Sequence, residues 1–558
     1  MHLKLIRPAT ALLTLFATAL GAAEDPKILD SAGSERRYLP DFSYAGYRNG
    51  SDALPTAAGQ LIRVADFGAK PNDGVDDSKA VLAALQAAHE VRGPVILRFE
   101  AGRYRLSDIL RIERGEIVLQ GAGSGRAGTV LSLPRPLAQV DSGRSLDELR
   151  QYVRELDKRQ VEPDANIDAY FSEYSWSGGF IWIQKPGTRP APYLPEFDPE
   201  IDVLARIAAG QRGRRTIQLA EAAAVSSGTV SSGDVLQIHW TNTEGPDAAI
   251  IDSIYGGSDI EVGSHHWSFP SRPLVRQTSR VESVDGLSVT LEDPLLHDVS
   301  AELPATLAAW PHLTRIGIED LHLEFPEAPW FGHHMERGYN GIYLTGVFDS
   351  WVRNVRISNA DSGILTYNSA NVTLSDITTD GDRQAHYGVH MGNVHNVLAE
   401  RIAVFNPVLH SLTFNTQSTK CVYKDSTVYT APALDQHAGA NHQNLFDNVT
   451  LYVEAERSGD AVVARVFDGS GAGYWQPGHG AFNTTWNLNV QIVSGAYGDE
   501  TVVVQGLDEG PLARIVGLHG NRGFSLDYRP EPYVESLNQR VLHIPSLYDY
   551  QLAVRLQQ

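Results

Sequence analysis

Gly341-Ile342-Tyr343-Leu344, Gly363-Ile364-Leu365-Thr366, Gly388-Val389-His390-Met391 and Ser411-Leu412-Thr413-Phe414 can be laid over one another almost without gaps. Each opens a short alternating strand. Each is followed at a nearly fixed distance by a polar residue and then, in all but one case, an aliphatic one: Asn354-Val355, Asp376-Ile377, Arg401-Ile402 and Asp425-Ser426. Asp320-Leu321 before them and Asn448-Val449 after them extend the series, with steps of 34, 22, 25, 24 and 23 residues between the second members. A repeat of about two dozen residues, built from short strands with no helix inside it, predicts a solenoid of stacked β-rungs. Equivalent residues of successive rungs then form columns, and a polar column is where a site would lie.

A solenoid grows by repetition, so the 558 residues predict one long domain with insertions. The chain starts with a leader over residues 1–23. Lys4 and Arg7 precede an apolar run from Ala9 to Leu20, which is followed by Gly21, Ala22 and Ala23. This is the pattern of a cleavable signal peptide and is too short for a permanent span, so the protein is expected to be secreted or periplasmic. Residues 24–60 form a lead-in, 61–525 the β-helix with an irregular insertion over about 135–310, and 526–558 a cap or tail. A formal charge of −21 repels nucleic acid and anionic lipid, which excludes both as partners. Oligomeric state leaves no signal in the sequence. Cys421 is the single cysteine, so neither an intramolecular disulfide nor a thiolate cluster can form, and the thiol is expected to be a small buried hydrophobe aligned with Val372 and Val397.

Asp66-Phe67-Gly68-Ala69 and Asn72-Asp73-Gly74, with Asp76-Asp77, lead into a helix with apolar positions at Val81, Leu82, Leu85 and Ala88, for which Asp76 or Asp77 is a natural N-cap. Strands follow at Val95–Phe99, at Tyr104–Leu106 and at Ile117–Leu119, before the glycine-rich turn 121–125. This module resembles the entrance of the pectate-lyase-like superfamily of right-handed parallel β-helices. The resemblance implies an all-β, right-handed parallel β-helix with a short N-terminal capping helix and loop insertions. It also implies a carbohydrate-active protein with a polysaccharide as partner. It says little about chemistry, because the superfamily holds lyases, hydrolases, epimerases and phage tailspikes. Within the insertion, Leu146, Leu149, Val153 and Leu156 predict a surface helix, while Gly178–Ile183 and Asp234–Ile238 read as further rungs.

Just before the strand starts the alignment gives two columns. One reads Tyr339, Asp361, His386, Leu409 and His442; the other reads Asn340, Ser362, Tyr387, His410 and Gln443. Histidine and tyrosine concentrate there, the side chains that exchange protons near neutral pH. Loops carrying His333, His334 and Arg337, Asp382 and Arg383, Asp435 and His437, and Trp475 and His479 enter the same face. His410, His386, Tyr387, Arg383, Asp435, His437 and His442 are the expected catalytic residues. His333, His334, Arg337, Asp361, Asp382, Gln443, Trp475 and His479 are the expected substrate-binding ones. Of Trp475 and Trp486, one is expected to be a sugar-stacking platform and one a core residue.

Adjacent residues of a strand point to opposite faces, so neither His265-His266 nor His333-His334 is expected to give two ligands to one ion. No metal ligand is assigned and no cofactor is expected, with calcium held by loop carboxylates ranking above zinc. For the reaction, β-elimination at a uronate leads: His410 or His386 as base, Tyr387 as acid or its partner, Arg383 or Arg337 neutralising the sugar carboxylate. The alternatives are glycoside hydrolysis by a carboxyl pair among Asp361, Asp380, Asp382 and Asp435, and glycan binding without catalysis. Neither the closely spaced aspartates with Gly-His-Gly and Arg-x-Lys of polygalacturonases nor the calcium aspartates and Lys–Arg arrangement of pectate lyases are present, which counts against pectin itself.

Overall fold

The computed structural model describes residues 25–30, 38–157, 171–190, 201–243, 248–256, 273–430, 433–437, 439–469, 477–495, 498–506 and 510–557. The leader, His265-His266 and Trp475 lie outside the described residues. The chain forms an all-β, right-handed parallel β-helix. Each central rung is a short strand followed by a long bent one: Asn340–Thr345 with Val347–Ser358, then Ser362–Tyr367 with Ser369–Asp380. The short strands pair in parallel, Ile342 against Ile364, Val389 and Leu412 in turn. The long ones pair Leu321 with Val355, Ile377 and Ile402. The aligned aliphatic residues point into the solenoid and are fully buried. Each contributes on the order of 1.5–3 kcal/mol.

The polar member of each closing pair has a backbone reason. Asp320, Asn354, Asp376, Arg401, Asp425 and Asn448 all sit at φ between 49° and 58°, where the long strand bends. Left-handed φ is costly for most L-residues and least so for Asn and Asp, so these types recur at the bend. They also bond along the column: Asn354 Nδ2 donates to Asp320 (2.5 Å), Arg401 pairs with Asp376 (2.8 Å), and Asn448 Nδ2 donates to Asp425 (2.6 Å). The recurring glycine has a different cause. A Cβ on Gly363 would stand 2.4 Å from the carbonyl oxygen of Gly388, and one on Gly388 would stand 2.4 Å from that of Ser411. The rungs approach too closely there for a side chain.

Ser78–Glu90 is the predicted helix and buries Val81, Ala84, Leu85 and Ala88 over the open end of the solenoid. Asp77 accepts the backbone N–H groups of Lys70 and Arg105, tying the entrance turn to the first rungs. The charged segment after residue 145 forms the helix Asp147–Asp157. Ile181–Ile183 is a rung, between Leu110–Ile112 and Asn340–Thr345. Val235–Thr241 is not, which corrects the sequence reading. It belongs to a closed antiparallel barrel with Val203–Gly210, Thr216–Leu219, Pro273–Asp285, Ser288–Leu291 and Ala305–Ala309. The chain reverses at Gly286 (φ 59°), so the strands pair antiparallel, and Ile217, Ile238, Trp240 and Leu307 give the barrel its own core.

The solenoid continues beyond residue 525, since Tyr533–Glu535 pairs with Arg514–Val516. The final helix, Leu547–Leu556, lies on the flank, its N-terminus held by Asp447, which accepts from Ser546 Oγ (2.6 Å) and the N–H groups of Leu547 and Tyr548. The lead-in packs against it through Arg555, which donates to the carbonyls of Ser43 and Asn49. Among the described residues no helix is long and apolar enough to cross a membrane. Gly363→Ala is expected to destabilise the chain by about 1–3 kcal/mol, because the added methyl must push neighbouring rungs apart. Denaturant unfolding measures this, and a shift below about 0.5 kcal/mol would mean the glycine ladder is not a packing requirement.

Candidate functional site

The register places Asn340, Ser362, Tyr387 and His410 in one column, as the sequence predicts. Tyr387 and His410 are therefore rung neighbours, with ring centroids 5.2 Å apart, and His386 lies 5.4 Å from His410. Two loops complete a cluster around them. The first carries His333, His334 and Glu336. The second follows Leu434–Asp435, whose residues pair with Leu412 and Thr413, and brings in Asp435 and His437.

His333 and His334 do not diverge as strand neighbours would. Gly332 has φ 118° and His334 has φ 64°, so the loop turns both rings to the same side, 3.8 Å apart. His333 is 4.8 Å from His386 and His334 is 5.4 Å from it. One ligand-capable atom from each of His333, His334 and His386 lies within 4.8 Å of the others, and the same holds for His410, Asp435 and His437. Strand alternation therefore does not keep the adjacent histidines from sharing a ligand, because this backbone is not a strand.

The columns are not surface rows, because the loops fold over them. His386 is 0% exposed and His410 4%, whereas His333 is exposed and His334 half-buried at the mouth. Burial pushes His333 down to about 4 and His390 to about 3, and moves His334 and His386 down as well, so these four imidazoles are neutral near pH 7. Glu336 is raised by burial; its Oε1 is 3.4 Å from His386 Nδ1, and its other oxygen accepts from Ser175 Oγ (2.6 Å). Burial opposes ionisation of Asp435, yet His410 and His437 on either side hold it below the ordinary carboxylate range. For His437 burial works against the charged form, and the Asp435 carboxylate more than offsets it, raising this imidazole.

Several expected site residues serve the scaffold instead. Arg383 is buried, bonded to Asp361 (3.1 Å) and the Pro326 carbonyl (2.7 Å), with Tyr339 stacked at 4.2 Å, so it cannot meet a sugar carboxylate. Asp361 also accepts the N–H groups of Gly338 and Tyr339, which fixes the loop entering the first rung and removes it from substrate contact. His442 and Gln443 belong to another corner. His442 bridges to Thr419, which bridges in turn to His395, rather than to His410, and Gln443 sits at φ 55° with its amide donating to the Leu296 carbonyl (3.1 Å). His479 is buried against Tyr528 and the Gly480 carbonyl. Trp486 is a core residue. Arg337 and Asp382 are exposed, Arg337 lying 4.1 Å over the Phe331 ring.

The sequence reading missed Glu336, Ser175 and His390, and it missed the exposed apolar side chains of Trp330, Phe331 and Met335 beside the histidines. Glu336 and Met335 lay inside a loop already singled out. Ser175 comes from a segment with no periodic signal.

No family model matches the chain, and no curated protein matches it in sequence. Among solved structures, the tailspike protein gp49 of Pseudomonas phage LKA1 is similar at 14% identity and TM-score 0.43, over 85% of this chain and 80% of that one. The mannuronan C-5 epimerase AlgE4 A-module of Azotobacter vinelandii is similar at 12% identity and TM-score 0.29, over 86% and 97%. The exopolygalacturonase of Thermotoga maritima is similar at 10% identity and TM-score 0.35, over 87% and 94%. Likeness at this level carries no weight for the chemistry of the site.

His442 makes a testable structural claim. Its Nδ1 donates to the Ala440 carbonyl (2.7 Å), its Nε2 meets His297 Nε2 at 2.8 Å, and His297 Nδ1 meets Ser253 Oγ at 2.6 Å. The Nε2–Nε2 bond needs one of the two nitrogens bare, so the chain breaks if both imidazoles are protonated. Burial lowers both, His442 to about 4, with Lys420 and His395 as its charged and titratable neighbours. A depressed folded pKa gives stability that is complete above the unfolded value near 6.5 and is lost as pH falls toward the folded one. The thermal midpoint is expected to drop between pH 7 and pH 5. His442→Gln removes one such group and is expected to flatten that slope by up to about 1.4 kcal/mol per pH unit. An unchanged slope would locate the acid sensitivity elsewhere.

Proposed function

We propose that this chain is an exported enzyme, secreted or periplasmic, that cleaves a uronate-containing polysaccharide by β-elimination, using the imidazoles at the mouth of the cluster. The observation that carries this reading is the contact of His333 with both His334 and His386, at 3.8 and 4.8 Å, where burial holds all three in the base form near neutral pH. β-Elimination needs a base for the proton α to the uronate carboxyl group and a path for that proton toward the leaving oxygen. In this reading His333, exposed at the mouth, takes the proton. On the same reading His386 and Glu336 behind it, 3.4 Å from each other, stabilise the resulting imidazolium, which returns its proton to the leaving oxygen as the C–O bond breaks and the new C=C bond forms.

Hydrolysis by a carboxyl pair is supported less well. Of the four aspartates considered for it, Asp361 is bonded to Arg383 and two backbone N–H groups. Asp380 is bonded to Ser358 and Arg356, and Asp435 lies buried between two imidazoles. Only Asp382 of the four is exposed. Trp330 and Phe331 offer apolar faces for a pyranose ring, and Arg337, carried over Phe331, is the cation placed to meet a sugar carboxylate. Of the two cations expected for that carboxylate, Arg337 remains and Arg383 is occupied by Asp361. Export rests on the leader.

The test is digestion of a panel of uronate polysaccharides, read by the ultraviolet absorbance of the unsaturated product. Wild type is expected to generate it, and His333→Ala to lose on the order of 10²–10⁴-fold in rate with an unchanged thermal midpoint, because its side chain is at the surface. New reducing ends without the absorbance would establish hydrolysis instead. Glycan binding with neither signal would leave a binding protein.

A further inference from the structure

We propose that His410, Asp435 and His437 form a binding site for a divalent transition metal ion of the zinc class, standing beside the acid–base histidines. Asp435 Oδ2 lies 3.2 Å from His410 Nδ1, and Asp435 Oδ1 lies 3.4 Å from His437 Nδ1. Neither contact is aligned as a hydrogen bond. Both carboxylate oxygens, both nitrogens of His410 and Nδ1 of His437 are buried with no hydrogen-bond partner among the described residues. A fully buried carboxylate in that state is costly unless a positive centre lies between it and its neighbours. Each spacing, one to each carboxylate oxygen, is near what shared ligation produces, and one donor atom of each of the three residues lies within 4.8 Å of the other two. Two ligands of one tetrahedral ion, each bonded at about 2.0–2.1 Å, stand roughly 3.3–3.4 Å apart.

The donor set selects the ion. Calcium takes six to eight oxygens and magnesium an octahedral, oxygen-rich shell, so neither suits two imidazoles and one carboxylate. Imidazole with carboxylate suits zinc and its first-row neighbours, and three protein ligands leave a coordination position open. The sequence expectation of calcium ahead of zinc is thereby reversed for this site. The other trio, His333, His334 and His386, contains no carboxylate and reaches the surface through an exposed ring, which suits proton exchange better than retention of an ion. The His410 ring is 5.4 Å from that of His386 and 5.9 Å from that of His333. A cation there would place positive charge next to the reacting centre of a protein that carries −21 overall, where an anionic sugar otherwise meets repulsion.

The experiment uses the full chain, stripped with a chelator and titrated with zinc by calorimetry, with elemental analysis after dialysis. Cobalt(II) serves as a spectroscopic probe of nitrogen ligation. The expected result is one equivalent of metal per chain bound at the trio, with visible cobalt bands. Asp435→Asn and His437→Gln are each expected to weaken binding by about 100-fold or more, since loss of a ligand should exceed the 10–100-fold effect of losing a residue behind one. If Asp435→Asn does not fold, His437→Gln, at the rim of the trio, carries the same comparison. His334→Ala is expected to retain the equivalent. A wild-type chain that binds neither zinc nor cobalt overturns the proposal, as does full affinity in folded His437→Gln. Because these readouts need no substrate, metal binding without uronate cleavage would refute only the elimination reading, and cleavage by a chain that binds neither zinc nor cobalt would refute only this one.

Discussion

The backbone ladder between rungs is the interaction on which the rest of the structure depends. Parallel strands at a spacing of about 4.8 Å leave no freedom in register once the inward side chains are aliphatic, since a slip of one residue would turn Ile342, Ile364, Val389 and Leu412 outward together. What lets the ladder close into coils is a small set of left-handed residues at the bends, from Asp320 to Asn448. The ladder aligns Tyr387 with His410, and it holds Asp435 one rung beyond Thr413. Residues separated by dozens of positions become contact neighbours with no further device.

The solenoid was legible in the sequence because its constraints repeat. The bend wants Asn or Asp, the close approach wants Gly, and the interior wants aliphatic residues, so every rung rewrites the same signature. The second column was correct through four rungs for this reason, with steps of 22, 25 and 23 residues from Asn340 to His410. It failed at Gln443, 33 residues further on. The chain in between passes through Leu434–Asp435, which is the next strand of that sheet, and has turned a corner by the time it reaches His442. The barrel was illegible for the opposite reason. Alternating strands such as Val235–Thr241 look alike whether they pair in parallel or antiparallel, and only the turns between them tell the two apart.

Within the site, residue types were read better than their surroundings. A column of histidine and tyrosine was correctly found, but its exposure depends on loops that carry no period. The loop at 330–338 covers His386 and His410, and Ser175 reaches Glu336 from a segment far earlier in the chain. Arg383 shows the same limit from the other side. By composition it is a natural partner for an anionic sugar, yet Asp361 lies one rung away and captures it, and the pair then serves to hold Gly338 and Tyr339 in place.

Burial also divides the histidines by function. An imidazole sealed in an apolar setting loses its charged form, which makes it a good hydrogen-bond relay or metal ligand and a poor anion binder. His442 and His297 follow the first course, joined nitrogen to nitrogen between the solenoid and the barrel. His410 and His437 instead flank the Asp435 carboxylate, neither of whose oxygens has a hydrogen-bond partner among the described residues. His333, at the opening, is the most exposed residue of the cluster's histidines, and the partial burial of its ring still lowers its basicity. An anionic glycan approaching this acidic chain therefore meets neutral bases first. On the elimination proposed above, attraction would come from charge set behind them or from Arg337 at the rim, a separation of charge from base that would suit removing a proton next to a carboxylate.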